Sequence, residues 1–577
     1  MNDLFYLLGQ AFKYGSIRSL VIIIAGFAAS AAFAYSTPYL LQRAIDGLAF
    51  RSSFGHFAFF IGLTIAAQGV HVLVRHISRL KKYRERFHIR KKFRLAAYYH
   101  MRNLGLPWHN ANHSGKTIHV VDAACHALDS FVNTIHTYIN IFVSLIVSIG
   151  YLFWLDPAMA AVFGGWLSIC VLFVFSMNKK LARLWDDLHF LNQKISKLFL
   201  DYVSNIRTVL SLRLGRKTQD NLSRAHDDVY PTLNKSIRTN ENKWSFLVFG
   251  VLLLNNCLML YFVWTQFNAD AAFDFGALVA LRLYLSMGAE GFFDFADTYD
   301  KIVEHAVAVR QADAILTRSF GDGVPKGKRY GINSFAINKM FFQHRDSEIP
   351  NLTISGVPFM ARRGRRIALV GESGSGKSTM MLLVRGLLSP KSVECDINDK
   401  TCDCMSQLSA QSVLIPQDPE FFEDTIEYNI TVGGKYAKSQ IDGALKMSRF
   451  DVVLARLPKG LKTGLFEKGV NLSGGEKQRL ALARGILAAQ SRDIVFLDES
   501  TSSVDAENER IIYGSIFKKF KNKFVIASVH KLNLLDHFDE IYVFGDRRIV
   551  QHGTLEELLS ERGQFQKIWK KYNRNKK

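Results

Sequence analysis

The chain has 577 residues, of which 48% are hydrophobic and 12% aromatic, too long for one compact core and too apolar for a disordered chain. Its formal net charge of +22 raises the question of nucleic acid, but no recognition module accompanies the charge, and no nucleic-acid partner is expected. Long uncharged runs fill the first half and ordinary charged sequence fills the second, which excludes a purely soluble enzyme.

At the amino end, Leu4, Phe5, Leu8 and Phe12 fall on one helical face, the pattern of an interfacial helix over 1–17. No cleavable signal is read there, because the first long apolar run is too long and has no clear cleavage site. Stretches near the length of a bilayer-crossing helix follow at 19–42, 57–74, 130–155, 158–178 and 244–268, and a sixth at 275–299 is interrupted by charges. Asp156-Pro157 leaves only a tight turn between the third and fourth spans. A dense basic block from Arg75 to Arg94 directly follows the second span, and 179–243 is also rich in Lys and Arg. The positive-inside rule therefore puts both long loops in the cytoplasm, with 43–56, the Asp156-Pro157 turn and 269–274 outside. Few Gly or Pro residues interrupt 179–243, so the flanking spans are expected to continue as helices beyond the bilayer.

Charges inside a span mark function by default, because an unpaired charge facing lipid is expensive. In the sixth span Arg282 and Glu290 are candidates for lining a substrate cavity. Asp294 and Asp297 fall near the cytosolic boundary and are expected to be mostly solvated. His109 and His113 have no carboxylate or cysteine at a fitting offset for zinc. Cys170 and Cys257 sit in apolar runs as small hydrophobes, while Cys395, Cys402 and Cys404 lack a fourth metal ligand and are expected to be ordinary surface thiols. Near Arg318 to Gly331 the composition turns to Gly, Pro, Lys and Arg, which makes 319–331 a linker between a membrane domain over 1–318 and a soluble domain over 332–577.

The soluble half opens on a buried strand, Ile367 to Val370, followed at once by Gly371, Glu372, Ser373, Gly374, Ser375, Gly376, Lys377, Ser378 and Thr379. Glycines at this spacing let backbone N–H groups turn inward around phosphate oxygens. Lys377 supplies a point charge to the β- and γ-phosphates, the Ser378 hydroxyl suits Mg²⁺, and the helix that opens here adds its positive end. A second buried strand, Ile494 to Leu497, ends in Asp498 and Glu499. The first carboxylate is placed to hold Mg²⁺ through water and the second to polarise an attacking water.

Between these strands lies Leu472-Ser473-Gly474-Gly475-Glu476-Lys477-Gln478-Arg479, which resembles the signature of the ATP-binding cassette (ABC) proteins. The other elements follow in family order: a Q-loop glutamine at Gln417, a D-loop at Ser502-Ser503-Val504-Asp505 and a switch histidine at His530. The six-span half resembles the exporter-type half-transporters in layout, which implies a multidomain fold: a six-helix α-helical transmembrane domain followed by an α/β P-loop ATPase domain. The resemblance makes ATP and Mg²⁺ the expected cofactors, with Glu499 the general base, Gln417 a Mg²⁺ and γ-phosphate sensor and His530 a γ-phosphate contact. It also implies that Ser473, Gly474 and Gly475, with Glu476 and Asp505 beside them, close over a nucleotide held at Lys377 of a second chain. Thr463 to Gly469 resembles the exporter loop that touches the partner's intracellular loops, and the segment around His109 is expected to carry a short helix resting on the ATPase domain.

Some positions depart from the family. His344 stands where the adenine-stacking tyrosine is usual, the D-loop reads Ser-Ser-Val-Asp, and Ser500 follows the glutamate where alanine is common. No catalytic group is lost, so the expected assembly is a homodimer, with a related half-transporter as the other possible partner. The resemblance implies ATP-driven export of an amphipathic substrate, whether small molecule, peptide, lipid or glycoconjugate, by a multi-pass protein in contact with membrane lipid. The expected setting is a bacterial inner membrane with the ATPase domain in the cytoplasm. An importer on the same layout and an ATP-gated channel remain open alternatives.

Overall fold

The computed structural model describes residues 2–49, 54–112, 114–268, 273–318, 331–343, 352–465 and 472–574. The chain forms two compact units, Met1–Tyr98 with Gly115–Arg318, and Tyr99–Ser114 with Ser319–Lys577. Most of the expected linker lies outside the described residues.

The first unit is helical, and among the described residues five helical stretches are long and apolar enough to cross a membrane: Ile17–Gly47, Phe54–Arg102, Thr117–Leu155, Pro157–Ser204 and Gly215–Phe267. The sixth expected span lies in an unbroken helix, Phe275–Leu316, which does not reach that apolarity among the described residues. The charges that lower it, Arg282, Glu290, Asp294 and Asp297, are all exposed. Its buried side includes small residues, among them Gly288, Ala289 and Gly291, that allow close approach to Ile135–Leu155. At Gly291 a Cβ would stand 2.0 Å from the Ser144 hydroxyl, and Ser148 Oγ donates to the Tyr284 carbonyl at 2.8 Å. The 49 residues of Phe54–Arg102 and the 48 of Pro157–Ser204 rise about 70 Å, more than twice the hydrocarbon thickness.

The first span is not one rod. It breaks at Ser36 into Ile17–Tyr35 and Thr37–Ala49, because Pro38 brings no N–H and its ring crowds the preceding turn. Asp156 ends one span and starts the next: its backbone N–H donates to Leu152 O at 2.8 Å and its carboxylate accepts from Ala158 N at 2.8 Å. The amino-terminal helix is present as Asn2–Tyr14, but Leu7, Gln10, Ala11 and Tyr14 form its buried face, while Phe5 is exposed. It is fixed to the end of Phe275–Leu316, where Tyr6 Oη and Gln10 Nε2 donate to Asp313 Oδ2 at 3.0 and 2.9 Å and Arg310 pairs with Asp3 at 2.5 Å.

The short helix Leu106–Ala111 belongs to the second unit, with Gly105 as its cap and Pro107 in its first turn. That unit is built on a six-stranded sheet. Arg366–Gly371 runs parallel to Glu540–Gly545 on one side and Phe524–Ser528 on the other, followed outward by Ile494–Asp498 and Ser412–Ile415. Strands buried on both faces need near-continuous apolar sequence, and Ile494–Asp498 and Phe524–Ser528 are buried at every position. A second, antiparallel sheet centres on Ser334–Phe342, with Leu352–Ile354, Phe359–Arg362 and Ser392–Ile397 against it.

The cysteines overturn one expectation. Cys395 and Cys404 are not surface thiols but buried partners in a disulfide, because the inward side of Ser392–Ile397 meets the first residue of Cys404–Ala410. Cys402 stays free and partly buried, and Cys257 is exposed rather than packed. A cross-link over so short a loop restrains the unfolded chain by about 2–3 kcal/mol. Cys404→Ser is therefore expected to lower the unfolding midpoint of this unit by about 5–10 °C under non-reducing conditions. Equal midpoints before and after full reduction of the parent protein would discard this contribution.

Candidate functional site

Three parallel strands, Arg366–Gly371, Ile494–Asp498 and Phe524–Ser528, end at the same edge of the sheet, so the segments after them converge. The first runs into a loop with left-handed backbone at Gly374 (φ 78°) and Gly376 (φ 105°), conformations that favour glycine. The helix Lys377–Val384 starts directly after it. Lys377 is only 4% exposed, and its ammonium spans the loop, donating to the carbonyls of Gly371 at 2.9 Å and Glu372 at 3.0 Å. Burial pushes its pKa down, an effect partly offset by Glu499 and Asp498.

Asp498 closes the second strand. Its Oδ1 accepts from Ser378 Oγ at 2.9 Å, so the first helical turn and the strand end share one oxygen pair. Burial raises the Asp498 pKa, the Ser378 hydrogen bond opposes this, and Glu499 adds to the rise. Glu499 is held at φ 44°, a strained conformation for a non-glycine residue, which turns it out of the strand direction. Its carboxylate hydrogen-bonds His530 Nε2, just past the end of the third strand. The raised Asp498 pKa has a definite pH consequence. The folded state holds this proton more tightly than the unfolded chain, so stability is full below the ordinary carboxylate value of about 3.9 and falls as pH climbs through the raised one. Asp498→Asn is expected to flatten that part of the pH–stability profile measured without nucleotide, and an unchanged profile would remove Asp498 as its source.

Ser473 caps the helix Gly474–Ala489 in a reciprocal box: Glu476 N donates to its hydroxyl, and its own N–H donates to Glu476 Oε2 at 2.9 Å. Glu476 is thereby committed to the cap and to Arg456, 2.5 Å away. The turn contacts the D-loop of its own chain: Gln478 Nε2 donates to Ser502 Oγ and Ser503 N donates to Gln478 Oε1, both at 2.8 Å. Asp505 caps the next helix, Ala506–Lys519, through Asn508 N at 2.9 Å. Gln417 is exposed in the loop after Ser412–Ile415. His344 and residues 466–469 fall outside the described residues.

The structure thus brings Lys377, the Ser378–Asp498 pair and the Glu499–His530 pair together at the strand ends, while Gly474 and Gly475 lie against Ser503 of the D-loop. Sequence reasoning missed Lys531, which pairs with Glu509 at 3.2 Å and donates to Val504 O at 2.8 Å, tying the switch segment to the D-loop. It also missed Lys571, which pairs with Glu372 in the phosphate loop at 2.9 Å. The adjacency of Lys531 to His530 was the one available signal; Lys571 had none. In the helical unit Arg282 is exposed, its Nη1 3.3 Å from Ser286 Oγ, Glu290 is exposed, and Asp297 pairs with Lys301 at 2.6 Å.

Two sequence profiles match the chain: "ABC transporter" over residues 354–502 and "ABC transporter transmembrane region" over 20–288, together more than two thirds of its length. The mouse protein "ATP-binding cassette sub-family B member 6" is 27% identical over 499 residues, covering 82% of this chain and 56% of that protein. The chain therefore spans little more than half the length of that relative. An "ATM1-type heavy metal exporter" of Novosphingobium aromaticivorans is 26% identical over 494 residues, covering 81% of this chain and 77% of that one. Among solved structures, a bacterial Atm1-family ABC exporter with ATP bound superposes with a TM-score of 0.81 at 22% identity, over 96% of this chain and 99% of the other, a likeness of fold.

Proposed function

The chain belongs to the ABC transporters as a multi-pass, exporter-type half-transporter with membrane and nucleotide-binding parts fused, and from that premise we propose that it couples ATP hydrolysis to export of an amphipathic substrate. The observation that carries the reading is the convergence at the strand ends of Lys377, the Ser378–Asp498 hydrogen bond and the Glu499–His530 hydrogen bond. In this reading the loop amides and Lys377 bind the phosphates and Glu499 takes the proton of the attacking water. His530 orients Glu499 and the γ-phosphate. The oxygens of Ser378 and Asp498 are hard donors of the kind magnesium prefers, with Gln417 as a further contact. A magnesium ion held there neutralises charge developing on the phosphates.

Because Gly474 and Gly475 lie against Ser503 of their own D-loop and Gln478 bonds that loop, the phosphate that Ser473 to Gly475 cap belongs in this reading to a second copy of the chain. ATP then stabilises the closed pair of ATPase domains, and its hydrolysis releases them. The membrane cavity is exposed alternately to each side by differential affinity of the two states for ATP.

The assembly is tested with purified mixed dimers. One chain carrying Lys377→Met and the other Ser473→Arg keeps one intact composite site. Placing both substitutions on one chain leaves none. Trapped nucleotide is expected at one site in the first dimer and at neither in the second, and equal trapping in both would reject the shared site. Export itself is tested in proteoliposomes whose ATPase domains face outward. ATP-dependent accumulation of an amphiphile inside is expected, and accumulation equal in Glu499→Gln would reject coupling.

A further inference from the structure

Two cavities lie side by side in the helical unit, and Tyr299 lines both. The smaller, about 200 Å³, is walled by Ile141, Phe142, Leu145, Val171, Phe292 and Phe295. The larger, about 720 Å³, combines Trp185 and Trp244 with charged side chains, a size and character suited to a small organic ligand.

The charges of the larger cavity are only partly matched. Lys243, 1% exposed, lies 3.7 Å from Asp300, and Lys301 pairs with Asp297 at 2.6 Å. Lys179, Asp186 and Glu304 also line the cavity and form no ion pair among the described residues. Asn178, 6% exposed, accepts from Lys243 Nζ through Oδ1 at 3.1 Å, while its buried Nδ2 has no acceptor among the described residues. The cavity wall therefore offers one unmatched cation and a buried donor together with two unmatched carboxylates.

Depth sorts the two cavities. With the basic loops in the cytoplasm, the smaller one reaches from the middle of the third and fourth spans to the cytosolic end of the sixth, on the inner side of the bilayer. The larger one is lined by the helical continuations just beyond, where lipid headgroups sit.

Resting on the export reading above, we propose that the cavities form one bipartite site for the transported substrate, a zwitterionic amphiphile with an aliphatic tail. The tail fills the apolar chamber past Tyr299. The headgroup carries an amine, held by Asp186 and Glu304 between indole faces, and an anionic group, held by Lys179 and Asn178 Nδ2.

The test uses the full chain in nanodiscs and three single-chain probes: lysophosphatidylethanolamine, lysophosphatidylglycerol and dodecyltrimethylammonium. Binding is read without ATP by tryptophan fluorescence, and turnover by ATP hydrolysis. The zwitterion is expected to bind tightest and to stimulate turnover. Lys179→Ala and the double variant Asp186→Asn with Glu304→Gln are each expected to weaken it by about tenfold or more, the scale of one charge-assisted contact. Because these residues are exposed, folding is preserved, and the two variants should shift preference in opposite directions, toward the cation and toward the anion. Equal binding of all three probes, binding of the zwitterion without any effect on turnover, or indifference to both variants overturns the proposal. Basal hydrolysis no higher than that of Glu499→Gln overturns the ATPase reading instead, a result the fluorescence titration does not share.

Discussion

Glu499→Gln is expected to lower ATP turnover by at least about a hundredfold while nucleotide binding survives, the scale seen when a general base is removed. The physical case rests on what the substitution leaves in place. Lys377 and its two carbonyl partners, Ser378 and Asp498 are untouched, so the phosphate loop and the magnesium oxygens are preserved. Glutamine has the size of glutamate and still bonds His530, so the strained backbone at 499 keeps its side-chain anchor. What disappears is the capacity to take a proton. Single-turnover hydrolysis with labelled ATP, alongside equilibrium binding, separates the two effects. Turnover within threefold of the parent protein would falsify Glu499 as the base.

Lys377→Met is expected to fail one step earlier. The thioether fills the aliphatic volume of the lysine but removes every donor from the centre of the loop. Each charge-assisted hydrogen bond contributes about 1.5–3 kcal/mol, so ATP affinity should fall by at least about tenfold and hydrolysis with it. The loop carbonyls of Gly371 and Glu372 also lose the cation that spans them. Equilibrium binding of a labelled nucleotide checks this directly, and an unchanged dissociation constant would move the phosphate contact elsewhere.

The two variants divide what the sequence reveals. Phosphate chemistry demands particular residues at tight spacing, so the loop from Gly371 to Thr379 and the strand ending at Asp498 were readable as chemistry before any fold was known. Long helices were equally legible, because bilayer thickness sets the length of an apolar run. Contacts between residues distant in sequence were not. Nothing near Cys395 announced Cys404 as its partner, since a disulfide depends on where a strand edge and a helix start meet. The break at Ser36 was hidden inside an apolar run, although Pro38 was there to be read. Arg282 and Glu290 drew attention as charges within a span, whereas Lys179, Asp186 and Glu304 of the larger cavity lie beyond the apolar runs, where a charge carries no such signal.

Asp313 also sets an order of assembly. It receives hydrogen bonds from Tyr6 and Gln10, more than three hundred positions earlier, and Arg310 donates to Asp3 across the same span of chain. During synthesis the first helix leaves the ribosome long before its anchor exists. At about 5–20 residues per second it waits roughly 15–60 s for residue 313. Throughout that interval it has the membrane surface and, through Tyr14 on Phe93, the second span to rest on, but not its polar anchor. Its docking is thus a closing event in the maturation of the membrane half, and a ribosome stalled before residue 310 would leave every span made but the first helix unlatched.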